Sequence, residues 1–149
     1  VHIESNDILE YSDRALLSSR EPFFPQNEKE RRIARQSLDE EDALHMDLRN
    51  LTMGFLAPGR FVRKSPATLK RYEDSGAPDP KRDKEIAWWR DFAERGIPNE
   101  VARASGEAFA KAFDGLESRL EESSWLIGDR ISVLELAWFI SIHRVVRAG

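Results

Sequence analysis

Trp125-Leu126-Ile127-Gly128-Asp129-Arg130-Ile131-Ser132-Val133-Leu134-Glu135-Leu136-Ala137 is the stretch whose reading decides the fold. Ser132 is a good N-cap and Glu135 follows three residues later. That is the spacing of a capping box, in which the hydroxyl accepts from a first-turn amide and the carboxylate reaches back to the amide of the cap. Ile131 and Leu136 occupy the flanking positions of a hydrophobic staple. The helix they open, from Val133 to Val146, carries Leu134, Leu136, Trp138, Phe139, Ile140, Ile142 and Val145. Such a helix is apolar on most sides and belongs in the centre of a domain. A buried helix start cannot rely on water for its first N–H groups, so this cap is structurally demanding.

Working outward, the preceding segments also read as helices. Asn99 caps one that reaches about Ser123, with Val101, Ala108, Phe109, Ala112, Phe113, Leu116 and Leu120 at helical spacing. Before it, Lys81 to Arg95 carries Ile86, Trp89 and Phe92 with Trp88 beside them, and stops at Gly96-Ile97-Pro98. This aromatic stripe is read as bundle core rather than a cofactor box. From Ala57 to Pro80 the signals are loop-like, with one helical turn around Thr68 to Glu73. Long connections of this kind often serve as lids or binding rims, and Arg60, Phe61, Arg63, Lys64 and Tyr72 read either as the edge of a substrate pocket or as ordinary surface.

Asn27 and Glu30 form a second capping box, opening a long helix to about Leu56 with Ile33, Leu38, Leu44, Leu48, Leu51 and Phe55 on one face. The other face holds Asp39-Glu40-Glu41-Asp42 and His45. No second histidine stands where it could complete a metal site with Glu41, Asp42 and His45. The face is therefore read as solvated, with Glu41 and His45 paired locally, and no metal is assigned.

At the front, Val1-His2-Ile3 reads as the end of a β-strand and Ser5 to about Leu17 as an amphipathic helix, with Ile8, Leu9, Tyr11 and Leu16 or Leu17 facing inward. Ser5 at the junction is a good N-cap, and the free N–H groups and positive dipole end suit a carboxylate. Glu4 adds a negative charge beside that positive site. Together they fit a zwitterion such as an α-amino acid head group; the plainer alternative is a simple cap with a solvated Glu. Between this helix and Asn27, Pro22 and Pro25 bracket Phe23 and Phe24, the composition of a short linker pinned by its aromatics.

Composition narrows the function classes. At 149 residues the chain holds one core, or the edge of one domain attached to most of another. A net charge of -4 argues against a nucleic-acid binder, and the clusters Arg31-Arg32-Arg35 and Arg60-Arg63-Lys64 read as solvated faces. With no cysteine, these residues contain no disulfide, thiolate metal site or cysteine nucleophile, which fits a reducing, cytoplasmic setting. The most apolar run, Val133 to Ile142, carries Glu135 and is too short to span a membrane, and no signal-peptide pattern is present. The opening on Val rather than Met and the stop straight after a helical run read as a fragment cut at both ends.

The segment Glu4-Ser5-Asn6-Asp7-Ile8-Leu9-Glu10-Tyr11 resembles the Glu-Ser-x-x-Ile-x-x-Tyr segment of the glutathione S-transferase family. Leu126 to Glu135 resembles that family's Leu-x-Gly-x-x-x-Ser-x-Ala-Asp segment, with Leu134 where Ala is usual and Glu135 where Asp is usual. These departures touch folding rather than chemistry. The resemblance covers essentially the whole chain and implies a mainly α fold. Residues 1–18 would be the last strand and helix of a thioredoxin-like domain, 19–26 a linker, and 27–149 a truncated all-helical domain.

By the same resemblance, Glu4 and Ser5 hold the γ-glutamyl end of glutathione, the co-substrate whose thiolate attacks a small electrophile. In the family the residue that activates the thiol precedes the Glu-Ser segment, so these residues alone are expected to be inactive. Met53, Phe55, Leu56, Phe61 and Tyr72 would line the electrophile's pocket, and the Ser5 helix and the long helix would form a homodimer interface. Two other readings compete: the same fold as a non-catalytic interaction module, and an unrelated helical bundle in which Val1-His2-Ile3 joins no sheet.

Overall fold

The computed structural model describes residues 5–16, 21–56, 64–75 and 80–149, with Ser5 and Leu16 described by backbone alone. These residues build seven α-helices and one π-helical turn. They are α1 (Ser5–Leu16), α2 (Glu28–Ala43), α3 (His45–Leu51), the π-turn (Thr52–Leu56), α4 (Pro66–Asp74), α5 (Pro80–Arg95), α6 (Asn99–Glu122) and α7 (Val133–Ala148). The described chain is mainly α. The strand expected at residues 1–3 lies outside the described residues.

The principal core forms where α2, α3, α6 and α7 pack on one another. Ala34 and Leu38 of α2, Leu48 and Leu51 of α3, Phe109 and Leu116 of α6, and Val133, Leu134 and Trp138 of α7 meet there, with Phe24 from the linker. The capping box at the head of α7 forms as the spacing predicts. Ser132 Oγ accepts from Leu134 N at 3.1 Å, and Glu135 Oε2 accepts from Ser132 N at 2.7 Å. Glu135 also does something the motif does not state. Its other oxygen accepts from Leu126 N at 2.7 Å, tying the loop before the helix to the helix itself.

Two expectations for α7 need correcting. The helix is not surrounded: α2, α3 and the π-turn cover one side of it, leaving Phe139, Ile140 and Val146 exposed at 60–70%. Ile131 and Leu136, expected to close the cap as a staple, are both exposed as well.

The single long helix expected from Asn27 to Leu56 is broken twice. Asn27 caps α2, accepting from Lys29 N and Glu30 N, but no bond from Asn27 N to the Glu30 carboxylate forms, so only half of the expected box is present. At Leu44 (φ -84°, ψ 2°) the backbone leaves helical geometry, its N–H bonding Glu41 O at 3.0 Å, and α3 restarts at His45. The second break is the π-turn. Thr52 Oγ1 donates back to Leu48 O at 2.7 Å, and Arg144 Nη2 donates to Thr52 Oγ1 at 3.1 Å, placing a side chain where the regular ladder would run.

These breaks change which residues face inward. Phe55 turns out to solvent, and Ile33 is exposed because the buried stripe of α2 runs through Ala34, Ser37 and Leu38, one residue further round. The break also removes the helical relation between Glu41 and His45. Glu41 accepts from Ser141 Oγ, and His45 Nε2 lies 3.1 Å from Arg49 Nη2.

Where a loop with one turn was expected, α4 is a nine-residue helix capped by Ser65, which accepts from Thr68 N, with Pro66 in its first turn. It packs on α5, where Leu69, Trp89 and Phe92 form a second apolar cluster with Met53, Trp88 and Ile97 against it. The aromatic stripe is thus core, as read. A polar chain joins this cluster to the main body. Trp88 Nε1 donates to Asn50 Oδ1 at 2.7 Å, Asn50 Nδ2 donates to Ser105 Oγ at 2.9 Å, and Ser105 Oγ donates to Asp47 Oδ1 at 2.8 Å. Gly96 (φ 74°) closes α5, its N–H on Phe92 O, in the left-handed conformation that favours glycine.

The linker is fastened from both sides. Asp13 of α1 accepts Phe23 N at 2.9 Å and Phe24 N at 2.8 Å on its two oxygens. Phe24 is buried in the core, Phe23 O accepts from Val133 N at 3.1 Å, and Arg130 donates to Pro22 O at 2.9 Å while pairing with Glu21.

Candidate functional site

The described part of α1 begins at Ser5, known by its backbone alone, and Glu4 lies outside the described residues, so the expected cap and its acidic neighbour fall outside what the structure describes. The face that α1 turns inward is the reverse of the expected one. Ile8, Leu9 and Tyr11 are exposed, whereas Glu10 and Asp13 are buried. The reason lies in what each meets. Asp13 satisfies the two linker amides, and Glu10 meets arginines of α2, whose charge compensates the cost of taking a carboxylate out of water.

Arg35 grips Glu10 with both ends of its fork. Its Nη2 lies 2.8 Å from each carboxylate oxygen, and its Nε donates to Oε2 at 3.1 Å. Arg31 Nε stands 3.5 Å away and Arg14, one turn along α1, 3.6 Å away. The Arg35 hydrogen bonds hold the Glu10 carboxyl below its ordinary range against the opposing effect of burial, with the charges of Arg35, Arg31 and Arg14 adding to them. Glu10 in turn raises Arg35. The reading of Arg31 and Arg35 as part of a solvated face is corrected: they clamp α1 onto α2.

Beside this clamp is a cleft of about 310 Å³, bordered by Asn6 and Asp7 of the first turn of α1, by Glu10 and Phe24, and by Arg35, Leu38 and Asp39 of α2. Its three carboxylates are not alike, because Glu10 already faces Arg35, Arg31 and Arg14. Asp7 and Asp39 hold no ion pair among the described residues. A cationic group entering this cleft would meet Asp7 and Asp39 rather than Glu10.

The other candidate residues are dispersed. Phe55 lines a cleft of about 470 Å³ with Leu51, Ala102 and Val145, rimmed by Asn99 and Arg103. Tyr72 lines a different one of about 430 Å³, between His45 and Arg49 on one side and Lys81 and Glu85 on the other. Met53 packs against the Leu69–Trp89–Phe92 cluster, Leu56 is exposed, and Phe61 lies outside the described residues. The four described candidates therefore do not share one cavity.

Sequence reasoning missed the Glu10 clamp because its partners stand 25 residues apart. The available signal was an acid inside an apolar-periodic stretch, followed by two arginines at i, i+4. Among the described residues, no group of three His, Asp or Glu side chains is placed to hold a metal, and no helix is long and apolar enough to cross a membrane. Compared with protein-family models, with curated proteins and with solved structures, the chain finds no match.

Proposed function

We propose that this chain is the helical part of a glutathione transferase, with the last strand and helix of a thioredoxin-like domain at its front. It would bind glutathione through Glu4 and Ser5 and serve conjugation of the thiolate to a small electrophile. The observation that carries the reading is the juxtaposition at the start of α1. The first described turn of α1, which the sequence reads as the helix's amino end, borders a cleft where Asp7 and Asp39 hold no ion pair among the described residues and suit an ammonium. The cleft lined by Phe55, apolar with a polar rim, is the place for the electrophile. In the family, the hydroxyl or thiol that activates the glutathione sulfur precedes the Glu-Ser segment. A cytoplasmic homodimer is the accompanying expectation.

Binding of the full-length protein to immobilised glutathione, alongside Glu4→Ala and Ser5→Ala, tests the proposal. Each variant should lose about tenfold in affinity, since each leaves one charged end of the tripeptide without its partner. Retention of both variants at the level of the parent protein would refute the clamp. The non-catalytic reading draws on Phe139, Ile140 and Val146, which α7 leaves in solvent as an interaction surface would. Glutathione binding without conjugation of any electrophile would favour it.

A further inference from the structure

On the opposite side of α2 from the Glu10 clamp, a groove of about 440 Å³ runs between α2 and α6 with Trp138 of α7 among its lining residues. Its walls are of two kinds. Leu44, Ala108, Ala112 and Leu116 are apolar, and Gly115 leaves a gap: a methyl group built there would meet no atom within 4 Å. The polar groups are Ser37, Glu40, Lys111 and Arg119. Arg119 donates to Ser37 Oγ at 3.3 Å and stands 3.9 Å from Glu40, both long contacts. Lys111 has no ion-pair partner among the described residues.

Trp138 adds an independent observation. The residue is 96% buried by its 4% exposure, and its indole N–H is buried with no hydrogen-bond partner. A buried donor left unpaired is costly, and nearly all such groups in folded proteins are satisfied. The groove that Trp138 helps to line holds two cations against one acid, and the tryptophan carries a donor without an acceptor.

We infer that this groove binds a small amphiphilic anion, a carboxylate with a short apolar body. Its head would accept from Trp138 Nε1 between Arg119 and Lys111, and its body would lie along Ala108, Ala112 and Gly115. The N–H has no solvent contact, so a side chain must move for the head to reach it. Arg119 is suited to this, being partly exposed and held only by its two long contacts. The inference uses none of the residues assigned to glutathione and stands or falls separately from that assignment.

Decanoate titrated into the full chain, followed by the indole N–H resonances of the four tryptophans, provides the test. The Trp138 signal should move downfield far more than those of Trp88, Trp89 and Trp125. Trp138→Phe and Lys111→Ala should each weaken binding about tenfold or more. Gly115→Leu should abolish binding while the fold holds or gains stability, because leucine fills the gap and is the better helix former. Uncharged decanol should bind more weakly than decanoate. An unmoved Trp138 signal at saturation, equal affinity for decanol, or undiminished binding by Gly115→Leu would each overturn the inference, the last by placing decanoate on the exposed apolar faces of α1 and α7. The glycine variant decides the matter even if Trp138→Phe does not fold.

Discussion

The two terminal helices, α1 and α7, solve the same problem in opposite ways. Both carry enough apolar residues for an inner face, and both leave several of them in water: Ile8, Leu9 and Tyr11 on α1, Phe139, Ile140 and Val146 on α7. What each buries differs. The helix α7 turns Val133, Leu134 and Trp138 into the core, whereas α1 turns in two carboxylates. The contrast shows that the side of a helix chosen for burial follows from what stands opposite it. Across from α7 are the apolar stripes of α2 and α3. Across from α1 are the Arg31 and Arg35 guanidiniums and the bare amides of Phe23 and Phe24, which only acceptors can satisfy.

Substitutions on the two helices should separate these modes of attachment. The largest effect belongs to the apolar one. Leu134 has no exposed surface, and Leu134→Ala should lower the unfolding free energy measured in urea by about 2–5 kcal/mol. Phe139→Ala on the outer face, though it removes a larger side chain, should stay within about 0.5 kcal/mol. Equal losses for the two would mean that α7's outer face is covered in solution.

An intermediate effect is expected where α1 meets the linker. Asp13→Asn keeps the shape but replaces one of two acceptor oxygens with an NH₂ group directed at a backbone N–H. The expected cost is about 1–3 kcal/mol. It should be accompanied by faster amide exchange at Phe23 or Phe24, and protection of both amides unchanged from the parent would contradict the role given to Asp13.

The smallest effect concerns the ion cluster. Glu10→Gln should cost about 1 kcal/mol at neutral pH, a modest figure because the Arg35 end is half exposed to solvent screening. Its pH dependence is the sharper measurement. The folded Glu10 has a lowered pKa, so its contribution is complete above the ordinary value of 4.5 and disappears as the pH falls through the folded value. The stability difference between parent and Glu10→Gln should accordingly be constant above about pH 5 and shrink in acid. A difference that persists undiminished to pH 2 would show that Glu10 acts through packing rather than charge.

Much of this architecture is legible along the chain because its determinants are local. The Ser132–Glu135 box, the Asn27 cap, the stop of α5 at Gly96 and the core role of Trp89 and Phe92 each depend on residues within one or two turns of one another. Helix existence and most boundaries follow from such short-range chemistry. The candidate site is less legible. Its predicted pole at Glu4 and Ser5 rests on a local strand-to-helix pattern and lies outside the described side chains, while the acidic cleft is assembled from Asp7, Glu10, Arg35 and Asp39 on two helices.

Sequence alone thus determined the helical composition, the Asn27 and Ser132 caps, the stop at Gly96 and an aromatic-pinned linker, because hydrogen bonds across three or four residues and a 3.6-residue period act before any tertiary contact exists; the expected Asn99 cap failed, since Asn99 is the first residue of α6 and Pro98 stands at the cap with no side-chain bond. Only the tertiary structure decided which way α1 faces, where the helix after Asn27 breaks, and that Thr52 takes Arg144 as a partner. Those outcomes depend on charges and amides brought together from 10 to 92 residues apart, and no local pattern encodes the partner that a buried polar group will find.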